Sequence, residues 1–135
     1  MKELVPYLDL GGRCAEALTF YTHCLAGEVV HRMRFANAPM DIPPELDERI
    51  MHSEFRGAGV HFMATDGMPG QPAPGAGNVS LCPVFDDAAE QMRVFDALVE
   101  GGSATQPLHD AFWGDRFGML TDRFGQRWLL NCPRR

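Results

Sequence analysis

The residues of this 135-residue chain that could do chemistry stand at alternate positions of short apolar segments. His61 and Met63 are two residues apart, and Asn78, Ser80 and Cys82 repeat this spacing further along the chain. Because alternate side chains of a β-strand lie on one face, each group would present its polar atoms on a single surface. An imidazole, an amide, a hydroxyl and a thiol on such surfaces can orient a small organic molecule by hydrogen bonds.

Three further candidate residues lie nearer the end of the chain, and two of them have a structural alternative to a role in binding. Trp113 is either a platform on which a ligand stacks or a member of the core. Arg116 could bind an anionic ligand, but it could equally form a surface ion pair with Asp115 or Asp122. Asn131 would add an amide to the face of its predicted strand.

Two histidines suggest acid/base chemistry, which has to be weighed against a purely structural role. His61 could act as a general base, although a lone histidine is more often hydrogen-bonded within the core or at its rim. His52 and Glu54 lie two residues apart and could form an acid/base pair, or they could be the solvated side of an amphipathic strand. Cys82 has no activating partner nearby in sequence and is interpreted as an unreactive, buried thiol. The sequence therefore predicts a pocket without identifying a catalytic residue.

The composition limits the partners and the compartment of the protein. Twelve Lys and Arg residues against 18 Asp and Glu give a net charge of −6, which disfavours binding to a phosphate backbone. No apolar stretch reaches the ~20 residues of a membrane helix, and the N-terminal residues do not resemble a secretory signal. The wide spacing of Cys14, Cys24, Cys82 and Cys132 favours buried free thiols over disulfides or a zinc site. We therefore expect a cytoplasmic protein with no nucleic-acid or membrane partner.

The elements that must position these residues are predicted from changes in apolar spacing. In the first half, strands are predicted at residues 4–10, 28–35, 50–55 and 60–65, with a turn at residues 56–59. A helix from Arg13 ends at Gly27, and its apolar stripe consists of Cys14, Leu18, Tyr21 and Leu25. Residues 36–47 contain three prolines and are predicted to form a long loop.

The second half repeats this order of elements after a Gly- and Pro-rich linker at residues 67–77. Strands are predicted at residues 78–85, 105–108, 118–121 and 127–131, with a turn at residues 122–125. The helix between them has Asp87 as its N-cap, and its apolar stripe consists of Ala88, Met92, Phe95 and Val99. The prediction is a single α+β domain, with module 1 at about residues 1–66 and module 2 at about residues 78–135.

Three stretches of the sequence carry motifs of a known family. They are residues 6–8 (PYL) leading to 17–18 (AL), 20–21 (FY) and 25–27 (LAG); residues 61–63 (HFM) with 66–69 (DGMP); and residues 112–118 (FWGDRFG) with 122–125 (DRFG) and Trp128. Together they resemble the vicinal-oxygen-chelate superfamily of glyoxalases, bleomycin-resistance proteins and dioxygenases, and more narrowly its PhnB-like branch. The resemblance implies two βαβββ modules that form a curved mixed sheet around a cavity.

The resemblance also implies where catalytic relatives bind a divalent metal, through His or carboxylate ligands on inward-facing strands. The corresponding positions here hold Pro6, Met63, Asn78 and Leu129. None of these side chains is a His, Asp or Glu, so we expect no metal and no other cofactor. With Met63 facing the cavity, the predicted ligand-binding residues are His61, Met63, Asn78, Ser80, Cys82, Trp113, Arg116 and Asn131.

Two functions are compatible with this pattern. The first is a PhnB-like protein that binds a small organic molecule in a metal-free pocket, and the resemblance implies that it is a homodimer. The second is a metal-dependent lyase, isomerase or dioxygenase of the glyoxalase superfamily that uses an unrecognised site. Some relatives carry a methyltransferase label, which we discount because residues 10–12 (LGG) lack the G-x-G spacing of a methyl-donor site.

Overall fold

The computed structural model of the protein describes residues 1–39, 41–75 and 77–134. The chain divides into two compact units, Met1–Gly75 and Ala76–Arg135. The first unit contains β1 (Tyr7–Asp9), α1 (Cys14–Leu25), β2 (Glu28–Arg34), β3 (Ile50–Gly57) and β4 (Val60–Thr65). Two short 3-10 helices, Phe35–Asn37 and Pro44–Leu46, fall in or beside the predicted Pro-rich loop, of which Met40 lies outside the described residues.

The first unit is a mixed four-stranded sheet with α1 packed on one face. Its strand order is β1-β4-β3-β2, in which β1 runs parallel to β4 and the other neighbours are antiparallel. Phe62 and Ala64 of β4 are buried on the α1 face, where Tyr21 meets the ring of Phe62 edge to face at 5.7 Å. Because side chains alternate along a strand, the odd-numbered residues of β4 lie on the opposite face of the sheet.

The second unit repeats this architecture. It contains β5 (Ser80–Leu81), α2 (Ala88–Val99), β6 (Ser103–Asp110), β7 (Arg116–Thr121) and β8 (Arg127–Cys132). Its strand order is β5-β8-β7-β6, with β5 parallel to β8 and antiparallel pairs elsewhere. The described residues of the predicted linker, 67–75 and 77, form no helix or strand, and Ala76 lies outside them. Two βαβββ units, each with one helix and one mixed sheet, confirm the predicted α+β fold class.

Several predicted element boundaries differ from those of the structure. The strand expected at residues 78–85 is shortened to Ser80–Leu81, with an isolated bridge between Val84 and Asn131. The residue that ends α1 in the left-handed conformation is Ala26, with φ 52°, and not Gly27. Gly27 is required for a different reason, because a Cβ at this position would lie 2.5 Å from the ring of Phe55.

α2 begins as predicted but buries a different face. Asp87 caps its first turn by accepting a 3.1 Å hydrogen bond from a backbone N–H. Met92, predicted to be core, is 49% exposed, and the buried residues of α2 are Gln91, Val94, Phe95 and Leu98. Gln91 Nε2 donates to the carbonyl oxygens of Arg116 (2.9 Å) and Leu130 (3.2 Å). The spacing of apolar residues does not reveal a buried amide. The predicted buried face of α2 therefore included Met92 and left out Gln91.

Two aspartates of the family motifs, Asp66 and Asp122, are buried, and their carboxylates accept hydrogen bonds from N–H groups of neighbouring segments. Asp66 accepts hydrogen bonds from the backbone N–H of Cys14 at 2.7 Å and of Ile50 at 2.8 Å. The Asp122 carboxylate binds three N–H groups of the following hairpin, the backbone N–H of Phe124 (2.8 Å) and Gln126 (3.1 Å) and the indole N–H of Trp128 (2.9 Å). The second set of contacts confirms the predicted turn at residues 122–125.

Candidate functional site

His61 and Met63 lie on the face of the first sheet opposite α1, beside Glu54 of β3. The register pairs Glu54 with Met63 and Arg56 with His61 across the β3–β4 hairpin. His61 Nε2 lies 2.6 Å from Glu54 Oε2, and Arg56 Nη2 lies 3.2 Å from the same oxygen. The carboxylate of Glu54 thus joins an imidazole and a guanidinium on one surface.

The imidazole of His61 lies between two carboxylates. Its side chain is only 13% exposed, and Glu3 Oε1 lies 2.9 Å from Nδ1. Nδ1 is buried and makes no hydrogen bond to any described residue, so Glu3 acts on it through charge and not through an aligned bond. The hydrogen bond with His61 is the main cause that lowers the pKa of Glu54, and the charge of Arg56 acts in the same direction. The imidazole therefore has an acidic side chain beside each of its two ring nitrogens.

Tyr7 occupies the place on this face that the sequence had assigned to Pro6. The parallel register of β1 and β4 pairs Tyr7 with Met63. Pro6 is therefore one residue away from the register position opposite Met63. The hydroxyl of Tyr7 lies 3.0 Å from Nδ1 of His52, and the two rings are 5.7 Å apart. His52 and Glu54 therefore have separate partners, and the structure does not bring them together as an acid/base pair.

The second unit carries an aromatic surface on the face of its sheet that bears Asn131. The register pairs Asn131 with Phe117, and Asn131 Nδ2 donates a 3.0 Å hydrogen bond to Asp115. The ring of Trp113 meets Phe117 edge to face at 5.2 Å and Phe112 at 5.0 Å. Trp113 is 51% exposed, so it is not a core residue and its indole is accessible.

Three predicted site residues lie at or beside the short strand β5. Ser80 is half-buried and pairs in register with Arg127, while Asn78 and Cys82 are exposed. The prediction of a buried Cys82 is wrong, because β5 ends at Leu81 and Cys82 lies beyond it.

The other three cysteines are buried free thiols, as predicted: Cys14, Cys24 and Cys132. Desolvation, with the charge of Asp66 as the second cause, raises the pKa of Cys14 to about 12. Its thiolate is therefore strongly disfavoured at neutral pH, and this thiol is a core group without nucleophilic character.

Arg116 is separated from the rest of the predicted set in the second unit. It pairs in register with Cys132, which is buried on the α2 side, whereas Asn131 faces the other way. Its Nη1 lies 3.7 Å from Asp110 Oδ1, so its ion-pair partner is neither Asp115 nor Asp122, the two that the sequence suggested. Two of the predicted ligand-binding residues, His61 and Met63, thus belong to the first unit. Arg116 lies on the α2 side of the second sheet, opposite Asn131. The other predicted residues of the second unit are Asn78, Ser80, Cys82 and Trp113.

Sequence reasoning missed two residues of this face: Glu3, which lies beside His61, and Tyr7, which pairs in register with Met63. Glu3 carries no local signal, because it precedes β1 and meets His61 only in the folded unit. Within the described part of the chain, no group of three or more His, Cys, Asp or Glu side chains is placed to hold a metal ion. Over the same residues, no helix is long and apolar enough to cross a membrane.

Nearly the whole chain is similar to proteins of one family. Residues 2–131 match the model of the 3-demethylubiquinone-9 3-methyltransferase family. Protein YjdN of Escherichia coli (strain K12) is 30% identical over 141 residues, covering 95% of this chain and 93% of YjdN. The crystal structure of protein PA1353 from Pseudomonas aeruginosa is 37% identical, with a TM-score of 0.90 and full coverage (100%) of both chains. A PhnB protein from Bacillus cereus is 25% identical, with a TM-score of 0.78 and coverage of 97% and 99%.

Two βαβββ units with this strand order, and the likeness to these structures, define a protein of the vicinal-oxygen-chelate superfamily. Within that superfamily it is a PhnB-like protein, as the sequence motifs implied. The chain belongs to the 3-demethylubiquinone-9 3-methyltransferase family. A family name records relationship, so the chemistry has to be argued from this chain's own residues.

Proposed function

We propose that the protein binds a small organic molecule on the His61 face of its first sheet and that no metal ion takes part. The observation that carries this proposal is the pairing of both ring nitrogens of His61 with carboxylates, Glu54 at 2.6 Å and Glu3 at 2.9 Å. A histidine ligates a metal through a nitrogen lone pair, and here Glu54 lies within hydrogen-bond distance of one ring nitrogen and Glu3 lies beside the other. The imidazole of His61 with these two carboxylates is better suited to orienting a polar ligand than to holding a cation.

The ligand that suits this face carries hydrogen-bond donors and a small apolar part. The carboxylates of Glu3 and Glu54 accept hydrogen bonds, and the hydroxyl of Tyr7 can both donate and accept. Met63 pairs in register with both Glu54 and Tyr7, is half-buried, and offers a polarisable apolar contact. This mixture of a few polar groups with an apolar surface is typical of sites that bind organic molecules.

In the second unit, the accessible ring of Trp113 supports the predicted role of this residue in binding. The remaining predicted contacts of this unit, which stay part of the proposal, are Asn78, Ser80, Cys82 and Asn131. Arg116 is withdrawn from the set because its register position puts it on the α2 side.

The methyltransferase activity in the family's name is not part of this proposal. A nucleotide-type methyl donor is bound where a Gly-rich turn leads from a parallel strand into a helix with accessible backbone N–H groups. Gly11 and Gly12 connect β1 to α1 here, but Asp66 accepts the hydrogen bond of Cys14 N at 2.7 Å. Asp9 accepts that of Gly11 N at 3.0 Å, so two carboxylates occupy this turn. A metal-dependent lyase, isomerase or dioxygenase is also not favoured.

We propose that the protein is a homodimer, which rests on the family resemblance, and that it is cytoplasmic, which rests on its free cysteines. An open sheet leaves an edge strand that proteins commonly cover by association. Sedimentation of the purified protein at micromolar concentration should give twice the 15.0 kDa mass of the chain. A monomer under these conditions would contradict the dimer.

The test is a thermal-shift screen of small organic molecules on protein prepared without a His-tag and treated with a chelator. A compound that binds the folded state raises the melting temperature, because binding adds RT ln(1 + [L]/Kd) to its stability. We expect the shift to be lost in His61→Gln and Glu54→Gln. It should persist in His23→Gln, a matched control at an exposed histidine of α1.

Urea unfolding of each variant without ligand separates loss of binding from loss of folding. A variant that unfolds near the wild-type midpoint but no longer responds to the compound supports the proposal. The proposal fails if hits respond equally in wild type and both site variants. It also fails if stoichiometric metal is found in untreated protein and is lost on replacing His61.

A further inference from the structure

A groove opens on the α2 side of the second unit, on the face of the sheet opposite Asn131. Its volume is about 370 Å³, and it is lined by Ala88, Ala89, Met92, Asp110, Arg116 and Arg134. These residues come from the first turns of α2, from the facing ends of β6 and β7, and from the segment after β8. The size is at the lower end of the range for small-molecule sites.

The charged residues of the groove carry a net charge of +1. Arg116 and Arg134 both pair with the same oxygen, Asp110 Oδ1, at 3.7 and 2.5 Å. One carboxylate oxygen cannot satisfy two guanidinium groups with five N–H donors each. The hydrogen bond and charge of Arg134 lower the pKa of Asp110, so the carboxylate is ionised at neutral pH and still leaves one positive charge over. The groove therefore favours a second anion.

The floor of the groove is apolar and is held in place by the core. Met92, which is 49% exposed, lines this groove and is not part of the core. Ala88 and Ala89 add small apolar contacts without blocking access. Gln91 Nε2 binds the carbonyl oxygen of Arg116 at 2.9 Å, so the strand end that carries this guanidinium is tied to α2.

We propose that this groove binds a small organic anion, a carboxylate with a short apolar chain. The carboxylate lies between the guanidinium groups of Arg116 and Arg134, which match its geometry through paired N–H donors. The apolar chain lies on Met92 and the two alanines. The positive end of the α2 dipole acts in the same direction as the arginines. This site is separate from the His61 face and does not depend on the function proposed for it.

The test is a titration of the full chain with hexanoate, followed by NMR of backbone amides and methyl groups. We expect saturable shifts at Ala88, Ala89 and the Met92 methyl group, and none of comparable size with 1-hexanol. Arg116→Gln and Arg134→Gln should each weaken binding about three- to tenfold, since each removes one charge-assisted contact.

Three further variants make the result specific. Asp110→Asn should tighten hexanoate binding, because it removes the competing carboxylate, whereas Arg32→Gln should leave it unchanged at an exposed arginine of the first unit. The proposal is overturned if 1-hexanol gives the same shifts, if hexanoate does not saturate, or if both groove arginine variants bind as the wild type does. If inorganic phosphate displaces hexanoate as well as octanoate does, the proposed contact of the apolar chain with Met92 is overturned. His61→Gln should leave hexanoate binding intact, so this proposal and the function proposed above fail independently.

Discussion

Replacing Asp66 by Asn should strongly destabilise the first unit. Asp66 is 7% exposed and follows β4, and its two oxygens accept the backbone N–H of Cys14 at 2.7 Å and of Ile50 at 2.8 Å. It thereby joins the start of α1 to the start of β3. An asparagine has one acceptor oxygen, so its NH2 group would face one of these two donors.

The magnitude follows from the two hydrogen bonds. A hydrogen bond to a charged group contributes about 1.5–3 kcal/mol, and a buried N–H left without an acceptor costs roughly 1–3 kcal/mol. The substitution keeps one bond in neutral form and loses the other, so we expect the free energy of unfolding to fall by about 2–4 kcal/mol. This is a large share of the ~5–15 kcal/mol that stabilises an ordinary domain.

The assay is urea unfolding monitored by circular dichroism and by tryptophan fluorescence. With a slope of roughly 2 kcal/mol per molar urea, the midpoint of Asp66→Asn should fall by about 1–2 M. Asp41→Asn is the matched control, because Asp41 is exposed and should change stability by less than about 0.5 kcal/mol. An Asp66→Asn midpoint within 0.3 M (about 0.5 kcal/mol) of the wild type would refute the assigned role of the two hydrogen bonds.

Three other substitutions test separate parts of the structure by urea unfolding. Trp128→Phe removes the 2.9 Å bond from the indole N–H to Asp122 and should cost about 1–3 kcal/mol; a neutral result would contradict that contact. Glu54→Gln should reduce the fall in the free energy of unfolding as the pH is lowered into the acid range. The pKa of Glu54 is lowered by His61, so its contribution is complete above the ordinary Glu pKa of about 4.3 and is lost as pH falls through the lowered value. An unchanged fall in this range would argue against the pair. Met92→Ala should cost less than about 1 kcal/mol, whereas a loss of roughly 2–5 kcal/mol would return this residue to the core.

Much of the fold could be predicted because its signals are local. The spacing of Cys14, Leu18 and Tyr21 predicts the buried face of α1, and all three are buried. Glycine and proline punctuate the chain between elements, and the repeated order of elements predicts two βαβββ units. The same order in both halves was also enough to indicate the superfamily.

The site was harder to predict because register decides which side chains meet. A two-residue turn closes the β3–β4 hairpin and pairs Arg56 with His61, which brings Glu54 to the imidazole. The sequence contained this signal, since Ala58-Gly59 favours a tight turn with positive φ at the glycine. The strand predicted at residues 118–121 begins at Arg116 in the structure. Because the prediction left Arg116 outside the strand, it could not assign this side chain to a face of the sheet.

The sequence by itself determined most of the elements, their order and the acidic charge. These properties depend on residue type and on spacing within a few positions. Only the tertiary structure decided that Asp66 caps α1 from 52 residues away, that Glu3 faces His61, and that a buried Gln91 turns Met92 outward. Each of these contacts joins residues distant in sequence. Their energies come from burial and alignment, which exist only once the sheet and helix have packed.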